Sequence, residues 1–199
     1  MKKKTANLIM VLIIAAIVIA GMMVAFAIKS ETAEALASQY RIQTIKDNAL
    51  IGPSQDGNVC TITIVCSTVL DNIDTVNKEK IPFIPKDGTI LPQTQVSFSE
   101  GDTVFDVLQK VCQAADLQLE YSYTPIYKSC YIEGINHLYE FDCGPESGWM
   151  YKVNEHSPNY GCSAYKLENG DDIVWCYTCT GLGADVGEVW MTTEADDGF

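Results

Sequence analysis

Hydrophobic and polar positions alternate with a period of two through residues 60–66. Cys60, Ile62, Ile64 and Cys66 fall on one face, and Thr61, Thr63 and Val65 on the other. That pattern predicts a half-buried strand. Shorter alternating runs recur at 117–123, 130–136, 138–142, 148–153 and 171–178, with turn residues between them. Among those turns, Asn169-Gly170 predicts a hairpin. One segment has a helical period instead: Val104, Leu108, Val111, Cys112 and Ala115 form a stripe behind Thr103, and Asp106 stands where a capping box needs it. Residues 82–92 hold Pro82, Pro85, Pro92 and a Lys-Asp-Gly turn, which predicts a connection or an edge strand. One helix among six or seven strands predicts an α+β domain with a mostly antiparallel sheet.

The start of the chain follows a different pattern. Lys2, Lys3 and Lys4 precede an uncharged apolar run from Leu8 to Ile28. At about 1.5 Å per helical residue, residues 8–28 match a hydrocarbon core of about 30 Å. The lysines are expected on the cytoplasmic side and everything after Lys29 outside the membrane. Ala25-Phe26-Ala27 also has the small-x-small form of a cleavage site, so secretion after signal cleavage is the alternative. The expected organisation is residues 1–29 as lysines and transmembrane anchor, 30–57 as stalk, 58–187 as one domain, and 188–199 as an acidic tail. Val189, Trp190 and Met191 of the tail are able to pack one strand.

Charge narrows the set of partners. The chain has 13 basic and 26 acidic residues, and four of the basic ones sit at positions 2, 3, 4 and 29. The exported part is therefore strongly acidic and would repel phosphate backbones, which excludes nucleic acid as a partner. The domain is long enough for one modest core.

All eight cysteines, Cys60, Cys66, Cys112, Cys130, Cys143, Cys162, Cys176 and Cys179, follow the apolar run. An even count in an exported domain reads as disulfides, and eight cysteines allow 105 connectivities. Cys60 and Cys66 lie about 20 Å apart along one strand and cannot bond to each other. Cys112 falls on the buried helical stripe and reads as structural. Cys143 ends one strand before a turn and Cys162 follows Gly161 on the return, so these two are expected to bond around Trp149. Closing such a loop contributes about 3 kcal/mol.

Candidate catalytic chemistry is sparse. Cys176 and Cys179 form a CxxC, which would be a redox pair at a helix start, but here it ends an alternating strand. A zinc site would need a second close pair, and His137 and His156 stand at unrelated spacings. Glu133, Glu140 and Glu146 lie on polar faces and turns, where carboxylates are ordinarily solvated. Nothing in the chain requires an enzyme, a metal or a cofactor. The ten tyrosines are the remaining signal; those at loop tips have no core to fill and suit contacts.

A more specific motif emerges at residues 148–175. Gly148, Trp149, Tyr151, Val153, Asn154, Pro158, Gly161, Tyr165, Leu167, Gly170, Asp171, Ile173 and Trp175 occur in the order G-W-x-Y-x-V-N, P, G, Y-x-L, G-D-x-I-x-W. Together with the 97–110 stretch, this resembles the bacterial transcobalamin-like C-terminal domain family, over about residues 58–187. The resemblance implies a small β-grasp-like domain of the kind displayed on Gram-positive surfaces. In transcobalamins the equivalent domain closes over cobalamin against a helical barrel, so a corrinoid is a candidate ligand, held together with a partner domain. Glu155 stands where the family often has glycine, and the turn there is expected to be reshaped. The resemblance points to the edge bearing the 144–149 turn and the 155–165 loop. Trp149 and Tyr160 would give flat contacts there, with Tyr151 and Tyr165 beside them and Ser147 and Asn159 as polar groups. The expected function is a membrane-anchored extracytoplasmic module that binds a small ligand or a surface protein. A thiol-disulfide oxidoreductase using Cys176 and Cys179, or a purely structural surface protein, are the alternatives.

Overall fold

A computed structural model describes residues 57–126 and 128–187, together with residues 19–24, 29 and 36. The chain divides into two units, Met1–Tyr40 and Arg41–Phe199. In the first unit the described residues are helical and exposed. Among the described residues no helix is long and apolar enough to cross a membrane; most of the 8–28 run and of the 30–57 stalk, and all of Val189, Trp190 and Met191, lie outside them.

In the second unit, strand β1 (Val59–Val65) alternates as its sequence predicts, burying Cys60, Ile62 and Ile64 on one face. A one-turn helix α1 (Thr68–Asp71) and a short 3-10 turn (Ile81–Phe83) lead to β2 (Thr89–Ser97). β2 pairs antiparallel with β1 at the edge of a sheet, and its register slips between Ile62 opposite Thr94 and Ile64 opposite Leu91. The slip falls at Pro92 and Gln93, because proline has no N–H to give a ladder and is tolerated at edges and bulges.

Helix α2 (Val104–Ala114) starts with a complete capping box: Thr103 Oγ1 accepts from Asp106 N, and Asp106 Oδ2 accepts from Thr103 N at 2.8 Å. It buries Val104, Leu108, Val111 and Cys112, with Ala115 at its C-cap, the stripe read from its period, and Phe105, Val107 and Ala114 besides. Strands β3 (Leu119–Thr124), β4 (Ser129–Ile135) and β5 (Leu138–Tyr139) form an antiparallel meander. Strands β6 (Gly148–Val153) and β7 (Asp172–Thr178) complete the four-stranded sheet, in the order β2-β1-β7-β6. The fold is α+β with mostly antiparallel pairing.

Two expectations need correction. The strands form two sheets, and the central pair of the larger one, β1 and β7, is parallel, with Ile62 opposite Ile173 and Ile64 opposite Trp175. Alternation reports that one face is buried and the other half-exposed, not the direction of the neighbour. Asn169-Gly170 is also not a hairpin. Asn169 Oδ1 accepts from Val59 N at 2.9 Å and Gly170 N donates to Val59 O at 2.8 Å, so this turn launches β7 alongside β1.

The tight turn lies instead at Asn154-Glu155. Both residues have positive φ, 53° and 70°, while Val153 and His156 exchange backbone hydrogen bonds of 2.9 and 3.1 Å around them. Such a two-residue turn favours Asn-Gly, since both central positions are left-handed. Glu155 therefore does not reshape the turn; it occupies a conformation that suits glycine better. Asn154 is held by two side-chain bonds, its Nδ2 to Asp171 Oδ1 at 2.8 Å and its Oδ1 from Asp172 N at 2.9 Å. Relief of the left-handed strain at Glu155, about 1–2 kcal/mol, exceeds the extra chain entropy of glycine, about 0.5–1 kcal/mol. Glu155→Gly is expected to stabilise the domain by up to about 1 kcal/mol, raising Tm by a few degrees in thermal unfolding followed by circular dichroism.

Candidate functional site

β6 and β7 set Tyr151 opposite Trp175 on the core face of the sheet. Their rings lie 5.4 Å apart, and Tyr151 meets Tyr165 edge-on at 6.4 Å and 83°. Tyr165 then stacks on Tyr160 at 5.7 Å and 15°. The four rings form a ladder from Trp175, which is 2% exposed, to Tyr160, which is 48% exposed. Tyr151 OH donates to Tyr160 O at 2.6 Å and pins the outer end of the ladder to the sheet. Asn159 is exposed beside it.

Tyr160 and Tyr165 belong to the connection between β6 and β7, and that connection is laced to two neighbours. A Cβ on Gly161 would fall 2.0 Å from Ser129 Oγ, so only glycine lets the chain approach β4 this closely. Beside it, Ser163 Oγ lies 2.9 Å from Ser129 Oγ and accepts from Cys130 N at 2.8 Å. The first N–H groups of a helix have no partner within it. Here Val104 N donates to Tyr165 O at 3.1 Å and Phe105 N to Cys162 O at 3.2 Å. The tyrosine-bearing segment thus completes the start of α2, and α2 fixes the segment in return.

Burial dominates the electrostatics. It lifts the Tyr165 phenol from its ordinary value to about 12, with Asp171, Tyr160 and Glu168 adding to the shift. Burial lifts Tyr151 further. Tyr151 and Tyr165 are therefore neutral at physiological pH, and the ladder is an amphipathic surface of ring faces and hydroxyls. At its base Trp175 Nε1, and at the start of the segment Ser157 Oγ, are buried without a hydrogen-bond partner among the described residues.

Of the residues expected at this edge, Tyr151, Tyr160 and Tyr165 converge and Asn159 adjoins them. Trp149 and Ser147 do not. The Trp149 ring is buried, donates from Nε1 to Leu138 O at 2.9 Å, and meets Tyr177 edge-on at 5.3 Å. Ser147 Oγ donates to Gly144 O at 2.8 Å and accepts from Cys143 N at 3.1 Å and Tyr177 OH at 3.0 Å. Ser147 is an interior part of the turn before β6, and Trp149 shares the core face of β6 with Tyr151 but sits opposite Tyr177, at the end of the strand next to that turn. Trp175 and Gly161 were not among the expected site residues. The position of Trp175 two residues from Ile173 on one strand face was the available signal for it.

The cysteines also differ from expectation. Cys143 and Cys162 do not face each other. Cys143 Sγ lies 3.3 Å from Thr75 Oγ1 and beside the Cys179 thiol, whereas Cys162 Sγ lies 3.4 Å from Cys130 O. The CxxC thiols diverge: Cys176 Sγ points to Met150 O at 3.7 Å and Cys179 Sγ to Thr68 Oγ1 at 3.8 Å. Burial and then Cys143 push the Cys179 thiol above its ordinary range, the reverse of what a reactive thiol needs. The carboxylates have local roles, Glu140 accepting from Tyr131 OH at 2.6 Å and Glu146 from Gly181 N at 2.8 Å. His137 packs on the Phe83 ring at 4.4 Å, and His156 Nδ1 lies 2.7 Å from Asn154 O. Among the described residues no group of three or more histidine, cysteine or carboxylate side chains is placed to hold a metal ion.

The geometry is that of an α+β domain presenting stacked tyrosines on a braced loop. Residues 101–179 match the model of a family described as a domain of unknown function, DUF4430. Among solved structures the chain is similar to haptocorrin in complex with Cbi, at 12% identity and a TM-score of 0.42, over 60% of this chain and 25% of that one. It is also similar to a candidate metal binding protein from Ruminococcus gnavus, at 11% identity and a TM-score of 0.37, over 61% of this chain and 96% of that one. The chain thus spans about a quarter of the length of the haptocorrin chain. No curated protein matches the chain.

The raised phenol of Tyr165 sets a sign for pH dependence. As pH rises past about 10 the unfolded chain loses this proton first, while the folded chain holds it up to about 12. The unfolded state then binds fewer protons, so stability is intact below pH 10 and falls between 10 and 12. Absorbance at 295 nm at pH 11 is expected to show incomplete tyrosine ionisation in the folded chain, completed on adding guanidinium. Absorbance at pH 11 that guanidinium does not increase would contradict the buried ladder.

Proposed function

We propose that this chain is an exported, membrane-anchored binding module without catalysis, and that its ligand lies on the Tyr160 face of the tyrosine ladder. The observation that carries this reading is the stacked pair Tyr160–Tyr165, with the outer ring half-exposed and the inner one edge-on against Tyr151. A pre-arranged flat surface spends little entropy in binding, and a planar or ring-shaped ligand extends the stack by one more layer. Asn159 beside it supplies a polar group to fix orientation. The transcobalamin-like motif, and the β-grasp-like fold it implies, favour a corrinoid, completed by a partner domain that covers its other face. Residues 8–28 would anchor the module, with the acidic domain outside the membrane.

Titration of the full chain with a corrinoid lacking its lower base, with haem and with a cell-wall glycan, followed by tryptophan fluorescence, tests the proposal. Trp175 at the base of the ladder is the reporter. One ligand is expected to bind below 1 mM, and Tyr160→Ala to weaken it about threefold to tenfold, as loss of one aromatic contact implies, with Tm almost unchanged. Absence of binding below 1 mM for all three probes would replace the small-ligand reading with a protein contact, and equal affinity in Tyr160→Ala would place the ligand away from the ladder.

A further inference from the structure

The sulfurs of Cys130, Cys143, Cys162 and Cys179 are thiols in the structure and are grouped in twos by its packing. Cys143 and Cys179 converge on one short segment. Cys143 Sγ is 3.3 Å from Thr75 Oγ1 and 4.0 Å from Asn72 O, while Cys179 Sγ is 3.8 Å from Thr68 Oγ1. Asn72 Nδ2 donates to Thr68 O at 2.8 Å, which makes residues 68–75 a single platform under both sulfurs. Cys179 is held from the other side by Asp185, whose Oδ2 accepts from Cys179 N at 2.8 Å. Cys130 and Cys162 meet where the tyrosine-bearing segment crosses β4. Cys162 Sγ lies 3.4 Å from Cys130 O, and Ser163 Oγ accepts from Cys130 N at 2.8 Å.

We propose that this domain matures by forming two disulfides, Cys130–Cys162 and Cys143–Cys179. In each, two thiols lose their hydrogens to a low-molecular-weight or protein disulfide: one S–S bond forms in the chain, one breaks in the oxidant, and two thiols leave on the oxidant. The proximity of each pair is mirrored in its acidity, since burial and then Cys130 lift the Cys162 thiol to about 12. The first bond fastens the segment carrying Tyr160 and Tyr165 to β4. The second joins the 139–149 turn to the end of β7 and removes Cys179 from any redox pairing with Cys176. This inference stands independently of the ligand, because it concerns the brace and not the contact surface.

The test starts with the full chain reduced in denaturant and refolded in a mixture of oxidised and reduced glutathione, so that bonds form as the pairs come together. Remaining thiols are blocked with N-ethylmaleimide in denaturant, and the chain is cut with trypsin, a glutamate-specific protease and chymotrypsin without reductant. Cleavage at Glu133 or Glu140 separates Cys130 from Cys143, and cleavage after Tyr177 separates Cys176 from Cys179. Mass spectrometry is expected to find Cys130 joined to Cys162 and Cys143 joined to Cys179. Cys143→Ser should leave Cys179 carrying the maleimide and Cys130–Cys162 intact. Cys143 joined to Cys162, Cys179 joined to Cys176, or maleimide on all four cysteines after oxidation would overturn the proposal.

Discussion

The parallel pairing of β1 with β7 is the constraint on which the rest of this domain depends. It joins strands at opposite ends of the domain sequence, with Thr61 N donating to Asp171 O at 2.8 Å and Ile62 and Ile64 facing Ile173 and Trp175. Closing so long a loop has an entropic cost, though one that grows only slowly with length. The fully buried side chains of Ile62, Ile64 and Ile173 offset it, each contributing about 1.5–3 kcal/mol on burial. With the pair in place, β2 and β6 add antiparallel at its two sides. Trp175 is then fixed in the centre of the sheet, and the ladder of tyrosines is built outward from it.

Helix α2 joins this scaffold to the candidate site. Its capping box closes part of its N-terminus, and the carbonyls of Tyr165 and Cys162 serve its Val104 and Phe105 N–H groups. The outer face of Tyr160 is therefore exposed on a segment whose backbone is shared with a helix start and with β4. The candidate site and the stability of the fold are coupled at this point: a change that loosens Gly161 from Ser129 would move the exposed Tyr160 face and uncap the helix together.

Much of this architecture was legible in the sequence, and the parts that were not have physical reasons. The alternation of Cys60 to Cys66, the stripe from Val104 to Ala115 and the Thr103–Asp106 box are local patterns, and the structure reproduces them. The prolines of the 82–92 stretch mark both outcomes expected of it, Pro82 and Pro85 lying in the connection and Pro92 at the bulge of an edge strand. Strand partners are not local information, and so the parallel neighbour of β1 was not readable from its alternation. The same holds for the site. Tyr151, Tyr160 and Tyr165 were identifiable as aromatics near one turn and loop, but Trp149 lies on the same strand face as Tyr151, and only the tertiary position of the loop decides which of the two becomes part of the ladder. The cysteine pairs were hidden for the same reason, since Cys143 and Cys162 flank one stretch of sequence yet pack against different neighbours.

Hydrogen exchange of the full chain, followed by mass spectrometry of peptides covering residues 59–65, 157–166 and 172–178, tests the central claim that the tyrosine surface is a fixed extension of the β1–β7 core. The account predicts that 59–65 and 172–178 exchange together as the slowest peptides, and that the hydrogen-bonded amides of 157–166 open with nearly the same protection. Exchange of 157–166 orders of magnitude faster than that of the two strands would show the loop opening independently of the core, and would contradict a pre-arranged binding surface.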